Sequence, residues 1–546
     1  MSDSAAEAAA KLDSRSRHAA PPSTSRFGSR RRTAFVLGGM LLGLLLAALD
    51  QTIIATAMPR VVANLGGLEL FAWVFSAYML ASTTITPIAG KLSDVYGRRW
   101  IYLTGIVVFM IGSALSGASQ SMLQLILSRG VQGLGAGVLF PVTIATIGDL
   151  YPPAQRGRIQ GLFSAVFGIA SIVGPSAGGY IVDNASWRWI FYINLPVGMV
   201  AFTVLFLALK EPTDRTVRRT VDYLGGALMA TAIVTSLLIV LWGGDEYAWT
   251  SPQIIALAVA ALAAWTALIL VERRIDDPML PLEFFRNRVF TISATSTFLT
   301  GAGMFGAILF LPLFIQFVIG TSATESGLVL TPMMLGMVVS SIVAGLAMSK
   351  LRRYKFLAFV GIGMMAVGFY LLSRMSPTTS NAQAVLNMAL TGAGLGITFP
   401  LYTIAVQNAF HRRQLGAVTS GLQFFRGIGG TVGATAFGAV MTTRFKDEIQ
   451  SLIRDMPAAA RSDIPIDRLT SIVENPQALA AGTGGEMALP PEVLQLMREA
   501  LSSSITTLFL IGLVALGIAL IVNVWLPEST LKTTWEPEGK AGKDAG

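Results

Sequence analysis

Three ionisable side chains stand well inside apolar runs of this chain: Asp50, Arg129 and Arg426. Asp149, Asp183, Asp222 and Glu325 sit at the ends of such runs, and the remaining acids fall in loops or tails. An ionisable group in hydrocarbon costs at least about 2.5 kcal/mol, so all three are candidates for function. A carboxylate near a guanidinium suits one kind of chemistry. Burial favours the protonated acid, the neighbouring cation favours the ionised one, and the pair can take up and release a proton. A buried Asp can equally hold helices together or cap a broken helix, and the residues alone leave both readings open. Cysteine is absent, and His18 and His411 lie outside the apolar runs. Thiolate chemistry, a Cys- or His-based metal centre and an intramembrane His proton shuttle are thereby excluded, and neither a metal nor a cofactor is expected.

The runs that must position these charges fill most of the chain. Of 546 residues, 53% are hydrophobic and 13% charged, with mean hydropathy +0.62, against roughly 25% charge in a soluble domain. Stretches of about 20 apolar residues, each able to cross about 30 Å of hydrocarbon as a helix, recur from 34–58 to 504–526 and number about fourteen. Arg30-Arg31-Arg32 precedes the first, which is span-length and lacks an early small-residue cleavage site; it reads as an uncleaved span. Residues 1–33 read as a disordered cytoplasmic arm and 527–546 as a polar cytoplasmic tail.

The net charge of +9 does not point to nucleic acid, because the basic residues sort by loop. Lys91, Arg98 and Arg99; Arg156 and Arg158; Lys210, Arg215, Arg218 and Arg219; Arg273, Arg274, Arg286 and Arg288; Lys350, Arg352, Arg353 and Lys355; and Arg412 and Arg413 fall in alternate short loops. The opposite short loops hold Arg60, Arg188 and Arg374. The positive-inside rule then places both termini in the cytoplasm and makes the number of spans even.

An internal repeat organises the spans. Gly133-Leu-Gly-Ala-Gly-Val-Leu-Phe-Pro141 returns as Gly392-Ala-Gly-Leu-Gly-Ile-Thr-Phe-Pro400, and the register holds onward. Gln155 and Gly157 match Gln414 and Gly416, Gly168 and Ile169 match Gly427 and Ile428, and Val173-Gly174 matches Val432-Gly433. Spans 4 and 5 thus match spans 12 and 13, so two helices, 223–242 and 253–271, are inserted between duplicated six-span halves. The expected fold is an all-α integral membrane protein: a six-span half over 34–209, two inserted spans with cytoplasmic linkers over 210–288, and a second half over 289–526. The second half contains a long outer loop, 442–503, with helix-like pieces at Asp447 to Met456 and Pro491 to Ala500. Duplicated halves in apolar sequence are the mark of secondary transporters, which rock one half against the other around a midplane site.

Five motifs, a cytoplasmic-loop signature and four ordered span signatures, carry a family resemblance. Gly90-Lys-Leu-Ser-Asp94-Val-Tyr-Gly97-Arg98-Arg99, after the second span, resembles the cytoplasmic-loop signature of the major facilitator superfamily. Read from the residues, its glycines permit a turn and close helix approach, and Asp94 can cap the next helix or pair with an Arg. The second half keeps Lys350-Leu351 there, with Arg353 in the place of Asp94. Asp50-Gln-Thr52 lies in a stretch that resembles the first-span signature of the fourteen-span drug:proton antiporters, and Arg129-Gly-Val-Gln132-Gly133 resembles their proton-transfer motif. Gly168, Gly174, Pro175, Gly178 and Gly179 fall in a segment similar to the antiporter motif of span 5, and Trp187 to Gly198 completes the set. Physically, that segment offers a small-residue face and a proline bend, serving as a hinge or as ordinary packing.

The resemblance implies proton-coupled export of hydrophobic, often cationic, drugs or amphiphiles by alternating access, antibiotic resistance included, from a monomer in the cell membrane. It implies that Asp50 and Arg129 couple to protons and that Gly90, Asp94, Gly97, Arg98 and Arg99 gate the cytoplasmic side. Thr52, Gln132, Gln423 and Arg426 are expected along the proton or substrate path. Met304, Met333, Met334, Met337, Phe305, Phe310, Phe314, Phe424 and Phe425 offer an adaptable apolar lining. Export of a lipid, metabolite or siderophore-like compound, proton-coupled import and, more distantly, a multi-span membrane enzyme are the alternatives. An enzyme of that kind needs clustered His, Cys or carboxylates near one interface, which the chain lacks.

Overall fold

A computed structural model describes residues 30–66, 70–209, 222–244, 246–275, 278–279, 281–319, 323–351, 353–411, 414–455 and 491–531. These residues are helical throughout their long elements, because buried in lipid each backbone N–H must find its partner within its own segment. The helices run α1 Arg30–Leu65, α2 Phe71–Tyr96, α3 Arg98–Ala118, α4 Met122–Leu150 and α5 Pro153–Asn184. There follow α6 Trp189–Tyr192, α7 Asn194–Ala208, α8 Tyr223–Trp242, α9 Pro252–Glu272, α10 Arg288–Leu313 and α11 Ala323–Leu351. The last four are α12 Lys355–Ser373, α13 Asn381–Ala409, α14 Leu415–Asp455 and α15 Pro491–Val524. Among the described residues eleven helical segments are long and apolar enough to cross a membrane, with α6 and α7 counted as one. The long helices outside that set, α2, α5 and α14, lie at the seams between halves.

The repeat seen in the sequence is a repeat of close helix contacts. A Cβ on Gly133 or Gly137 would strike the backbone of Tyr78 or Ser82 on α2, and one on Gly135 the backbone of Phe109 on α3. In the second half Gly392 and Gly396 meet Met333 and Met337 on α11 in the same way, and Gly394 meets Met365 on α12. Each glycine triplet therefore sets α4 or α13 at backbone distance from two neighbours at once, the small-residue packing that membranes favour. Even the helix starts correspond: Ser121 caps α4 through the N–H of Gln124, and Ser380 caps α13 through that of Gln383.

The halves meet along two seams, α2 with α14 and α5 with α11. Gly157 and Gly345 touch backbone to backbone on the second. The inserted α8 and α9 pack on each other, and α8 lies over the first seam, with Trp242 edge-on to Trp73 of α2 at 5.8 Å. Large apolar side chains such as Leu127, Leu207, Leu262 and Val514 face outward, as a lipid-facing rim requires.

Four boundaries differ from those expected. α14 runs unbroken to Asp455 and α15 begins at Pro491; the two helix-like pieces of the outer loop are extensions of these spans, and 456–490 lies outside the described residues. The sixth span is broken at Ile193, where Pro196 cannot donate to the carbonyl of Tyr192. Residues 527–531 are not a free tail: Tyr354 Oη donates to the Pro527 carbonyl at 2.9 Å, Asn408 donates to Ser529 Oγ at 3.3 Å, and Leu531 is buried. α5 continues as a helix through Pro175. The arm 1–29 and the linker 210–221 also lie outside the described residues.

Glycine contacts this tight predict a sharp asymmetry between substitutions. Gly135→Leu and Gly394→Leu should each destabilise the protein by about 2 kcal/mol or more, because backbone cannot yield to a side chain. Gly130→Ala, where a Cβ meets nothing within 4 Å, should be neutral or slightly stabilising. Thermal unfolding of the purified variants in detergent tests this; equal melting temperatures for all three would refute the packing account.

Candidate functional site

Asp50 and Arg129 meet at the heart of the first half. α4 presents Arg129 and Gln132 one turn apart on one face, and α1 brings Asp50 against them. Arg129 Nη1 lies 2.5 Å from Asp50 Oδ2 and donates to Gln132 Oε1 at 2.7 Å. Gln132 Nε2 donates to Asp50 Oδ1 at 2.8 Å, as does Asn194 Nδ2, at the start of α7, at 3.0 Å. Asn194 is steadied by Ser113 Oγ of α3, which donates to the carbonyl of Phe191. All five are buried, Asp50 at 3% exposure and Arg129 at 1%. The Arg129 guanidinium rests 4.2 Å from the centroid of the Tyr78 ring on α2, and its Nε has no partner among the described residues.

This centre touches the mobile-looking elements of the fold through two neighbours. Thr52, half a turn past Asp50, donates to the Ala170 carbonyl of α5 at 3.0 Å, and a Cβ on Gly174 would collide with its side chain. Tyr78 lies on α2, whose far end carries the loop motif. Asp94 there does not cap the next helix. It pairs with Arg98 at 2.5 Å and accepts from the N–H groups of Gly416 and Ala417, at 3.0 and 2.8 Å, so it caps α14 in the other half. Arg98 also reaches Asp149 Oδ2 at 3.0 Å and Ser93 Oγ. Gly90 is set against Gly416 and Ser420, and Gly97, at φ 93°, makes the α2–α3 turn that only glycine adopts easily. Arg99 is not in this lock; it turns outward to the Phe206 carbonyl and lies over the Trp100 and Phe206 rings. On the other seam Arg156, fully buried, donates to Gln407 Oε1 of α13 at 2.9 Å and to the Gly148 carbonyl.

Nearer the middle, four half-buried side chains from four helices form a row across the halves. Phe167 of α5 is edge-on to Phe140 of α4 at 5.7 Å, and Phe140 is edge-on to Phe399 of α13 at 6.0 Å. Arg426 of α14 lies over the Phe399 ring, 3.8 Å from its centroid. Arg426 Nη1 donates to Gln423 Oε1 at 3.0 Å, and Gln423 Nε2 is buried without a partner among the described residues.

The family resemblance implied that Arg129 attends Asp50 and placed Gln132 on the same path, and the structure brings the three together; Arg426 and Gln423 lie apart from them. Of the span 5 glycines, Gly168 abuts Val338 of α11 and Gly174 abuts α1, Gly178 is buried, and a Cβ on Gly179 meets open space. The side chain of Pro175 lies outside the description. The proposed apolar lining does not hold for Met333, Phe314 and Phe424, which are core residues. Asn194, Ser113 and the Phe140–Phe399 pair were overlooked. Their signals were present: a lone Asn opening an apolar span, and a Phe repeated at the same place in both halves.

The chain's likenesses agree with this geometry. The family model of the Major Facilitator Superfamily matches residues 40–434. The multidrug transporter protein MdtP of Bacillus subtilis (strain 168) is 39% identical over 515 residues, covering 92% of this chain and 94% of that one. Multidrug resistance protein 3 of the same organism is 37% identical over 509 residues, covering 93% and 98%. Among solved structures, the human organic anion transporter MFSD10 superposes with TM-score 0.58 at 14% identity, over 88% of this chain and 99% of that one. The proton:xylose symporter XylE does so with TM-score 0.56 at 14% identity, over 91% and 97%. With a matching family model over most of its length and close relatives along nearly all of it, the chain belongs to the Major Facilitator Superfamily and is a membrane transporter, not an enzyme.

Proposed function

We propose that the protein is a proton-coupled antiporter that exports hydrophobic or amphiphilic compounds by alternating access, through fourteen spans with both termini in the cytoplasm. The observation that carries this reading is the Asp50–Arg129 pair, sealed from water and tied to helices that join the halves. A proton arriving at Asp50 removes the counter-charge of Arg129 and leaves a buried cation held by Gln132 and the Tyr78 ring. Breaking such a pair costs about 3–5 kcal/mol, enough to favour a rearranged packing in which α1, α2 and α5 shift. The lock of Asp94, Arg98 and Asp149 closes the basic end of the bundle, so the arrangement described is the state shut toward the cytoplasm. Opening it separates Asp94 from the α14 N-terminus and hands the cleft to the other side. The similarity to multidrug transporters supports a varied, hydrophobic set of substrates.

Two experiments test this. In proteoliposomes with an imposed pH gradient, the intact protein should move a hydrophobic dye against its gradient, and Asp50→Asn should bind the dye but lose the gradient-driven movement. Coupling that survives Asp50→Asn reduces the pair to a structural role. The chain has no cysteine, so spin labels can be placed at Tyr96→Cys and Gln414→Cys, which flank the lock on opposite halves. Intact protein should show one short distance, and Asp94→Asn should add a longer population; an unchanged distance distribution would show that Asp94 does not hold the halves together.

A further inference from the structure

The row across the halves is symmetric except at one end. In the register of the repeat Phe140 answers Phe399, and Phe167 answers Arg426, so each axial Phe carries one neighbour: a ring in the first half, a guanidinium in the second. No other Lys, Arg, Asp or Glu lies well inside a span of the second half, and α13 has none at all. In the first half Asp50 and Arg129 neutralise each other behind closed packing. Near the aromatic row, away from the lock and Arg156, the charge offered between the halves among the described residues is therefore a single positive one. Among the described residues no carboxylate pairs with Arg426, and of its five N–H donors the only one with a partner reaches Gln423. Gln423 contributes a second free donor, its buried Nε2. Two donors without acceptors, beside three half-buried aromatic rings, describe the complement of a ligand.

We infer that the cleft binds aromatic amphiphiles carrying an acidic group, a carboxylate, sulfonate or phenolate. The anion accepts from Arg426 and Gln423 Nε2, and the ring packs against Phe140, Phe167 and Phe399. A cationic amphiphile meets Arg426 with no acid to offset it, since Asp50 is sealed and already paired; the often-cationic class suggested by resemblance is disfavoured. The inference names the substrate class of the export site proposed above and in that sense rests on it.

The test compares two probes with one ring and opposite charges, pyrenesulfonate and pyrenemethylammonium, binding to full-length protein in nanodiscs and read by pyrene fluorescence. The intact protein should bind the anion about tenfold or more tighter, the scale of a hydrogen bond to a charged group. Arg426→Gln should abolish that preference by weakening the anion alone, Arg426→Lys should keep most of it, and Phe399→Leu should weaken both probes alike. If Arg426→Gln does not yield folded protein, Gln423→Leu carries the test, with a several-fold loss for the anion only. Equal affinity for both probes in the intact protein, or equal losses for both in Arg426→Gln or Gln423→Leu, overturns the inference. The outcome is separable from the antiport reading: anion preference without pH-driven export sinks antiport and keeps this site, while pH-driven export with no charge preference does the reverse.

Discussion

The backbone-distance approach of α4 and α13 to their neighbours is the constraint on which the rest depends. In a bilayer the lipid is as apolar as the helix surface, so helices hold together by close packing and polar contacts rather than by escape from water. The glycine triplets at Gly133 and Gly392 supply that packing in both halves. They also place the chemistry. Gly112 of α3 lies against the backbone of Gln132, so the turn that bears Arg129 and Gln132 is held where Asp50 and Asn194 can reach it. A few residues further along the same helices, Phe140 and Phe399 arrive at the axis between the halves.

On this symmetric frame the charges are asymmetric. In the repeat register Arg129 and Gln132 correspond to Met388 and Thr391, so the second half keeps the packing and lacks the buried ion pair. Asp149 corresponds to Asn408, which bonds the segment after α15 instead of an arginine, and the acid of the lock is Arg353 in the second half. One seam is therefore closed by an ionic lock and the other by the bare contact of Gly157 with Gly345 and the Arg156–Gln407 bond. Arg426 reverses the sign of the imbalance near the middle. Duplication provides two equivalent walls; divergence gives one wall a buried ion pair and the other a cation with no carboxylate partner among the described residues.

How much of this was legible in the sequence depended on whether the signal was local. The repeat, the buried charges and the Asp94 motif are written in contiguous residues, and from them came the expectation of duplicated helical halves with an inserted pair and of Asp50 and Arg129 as buried charges; that these two meet was implied by the family resemblance alone. Contacts between distant segments left weaker traces. Asp94 has no sequence mark that aims it at Gly416 and Ala417, more than three hundred residues away; local reasoning offered only the next helix or a nearby Arg, and the Arg98 pair is the part it found. Arg156 read as one more loop cation, because nothing near it announces Gln407. The Met and Phe residues chosen for the lining were judged by type, and type does not separate core from cleft; the repeat position of Phe140 and Phe399 does. At the outer end the polarity of 442–455 marked the close of the apolar run and Asp447 to Met456 read as a separate helix-like piece, whereas α14 carries one helix unbroken to Asp455.

Whether one proton can drive so large a rearrangement is a question of magnitude. Inverting a two-state balance from one part in a hundred to the opposite takes about 5.5 kcal/mol. Removing one partner of a buried pair costs about 3–5 kcal/mol, and the Tyr78 ring, already against Arg129 in the paired state, adds nothing to that difference. The proton alone falls short. What remains must come from a second differential interaction, and the closed lock adds to the requirement, since a carboxylate at a helix N-terminus in a partly buried site holds the described arrangement by up to about 2 kcal/mol. Ligand binding at Arg426, as inferred above, is the interaction that can meet it: an anion that neutralises the half-buried guanidinium in one packing of the halves and not in the other adds its own difference in affinity to the balance. In the antiport cycle proposed above, these numbers leave neither proton nor substrate able to complete the transition unaided, and that shortfall is what coupling would require, because a proton able to cross the barrier by itself would leak through the cycle without cargo.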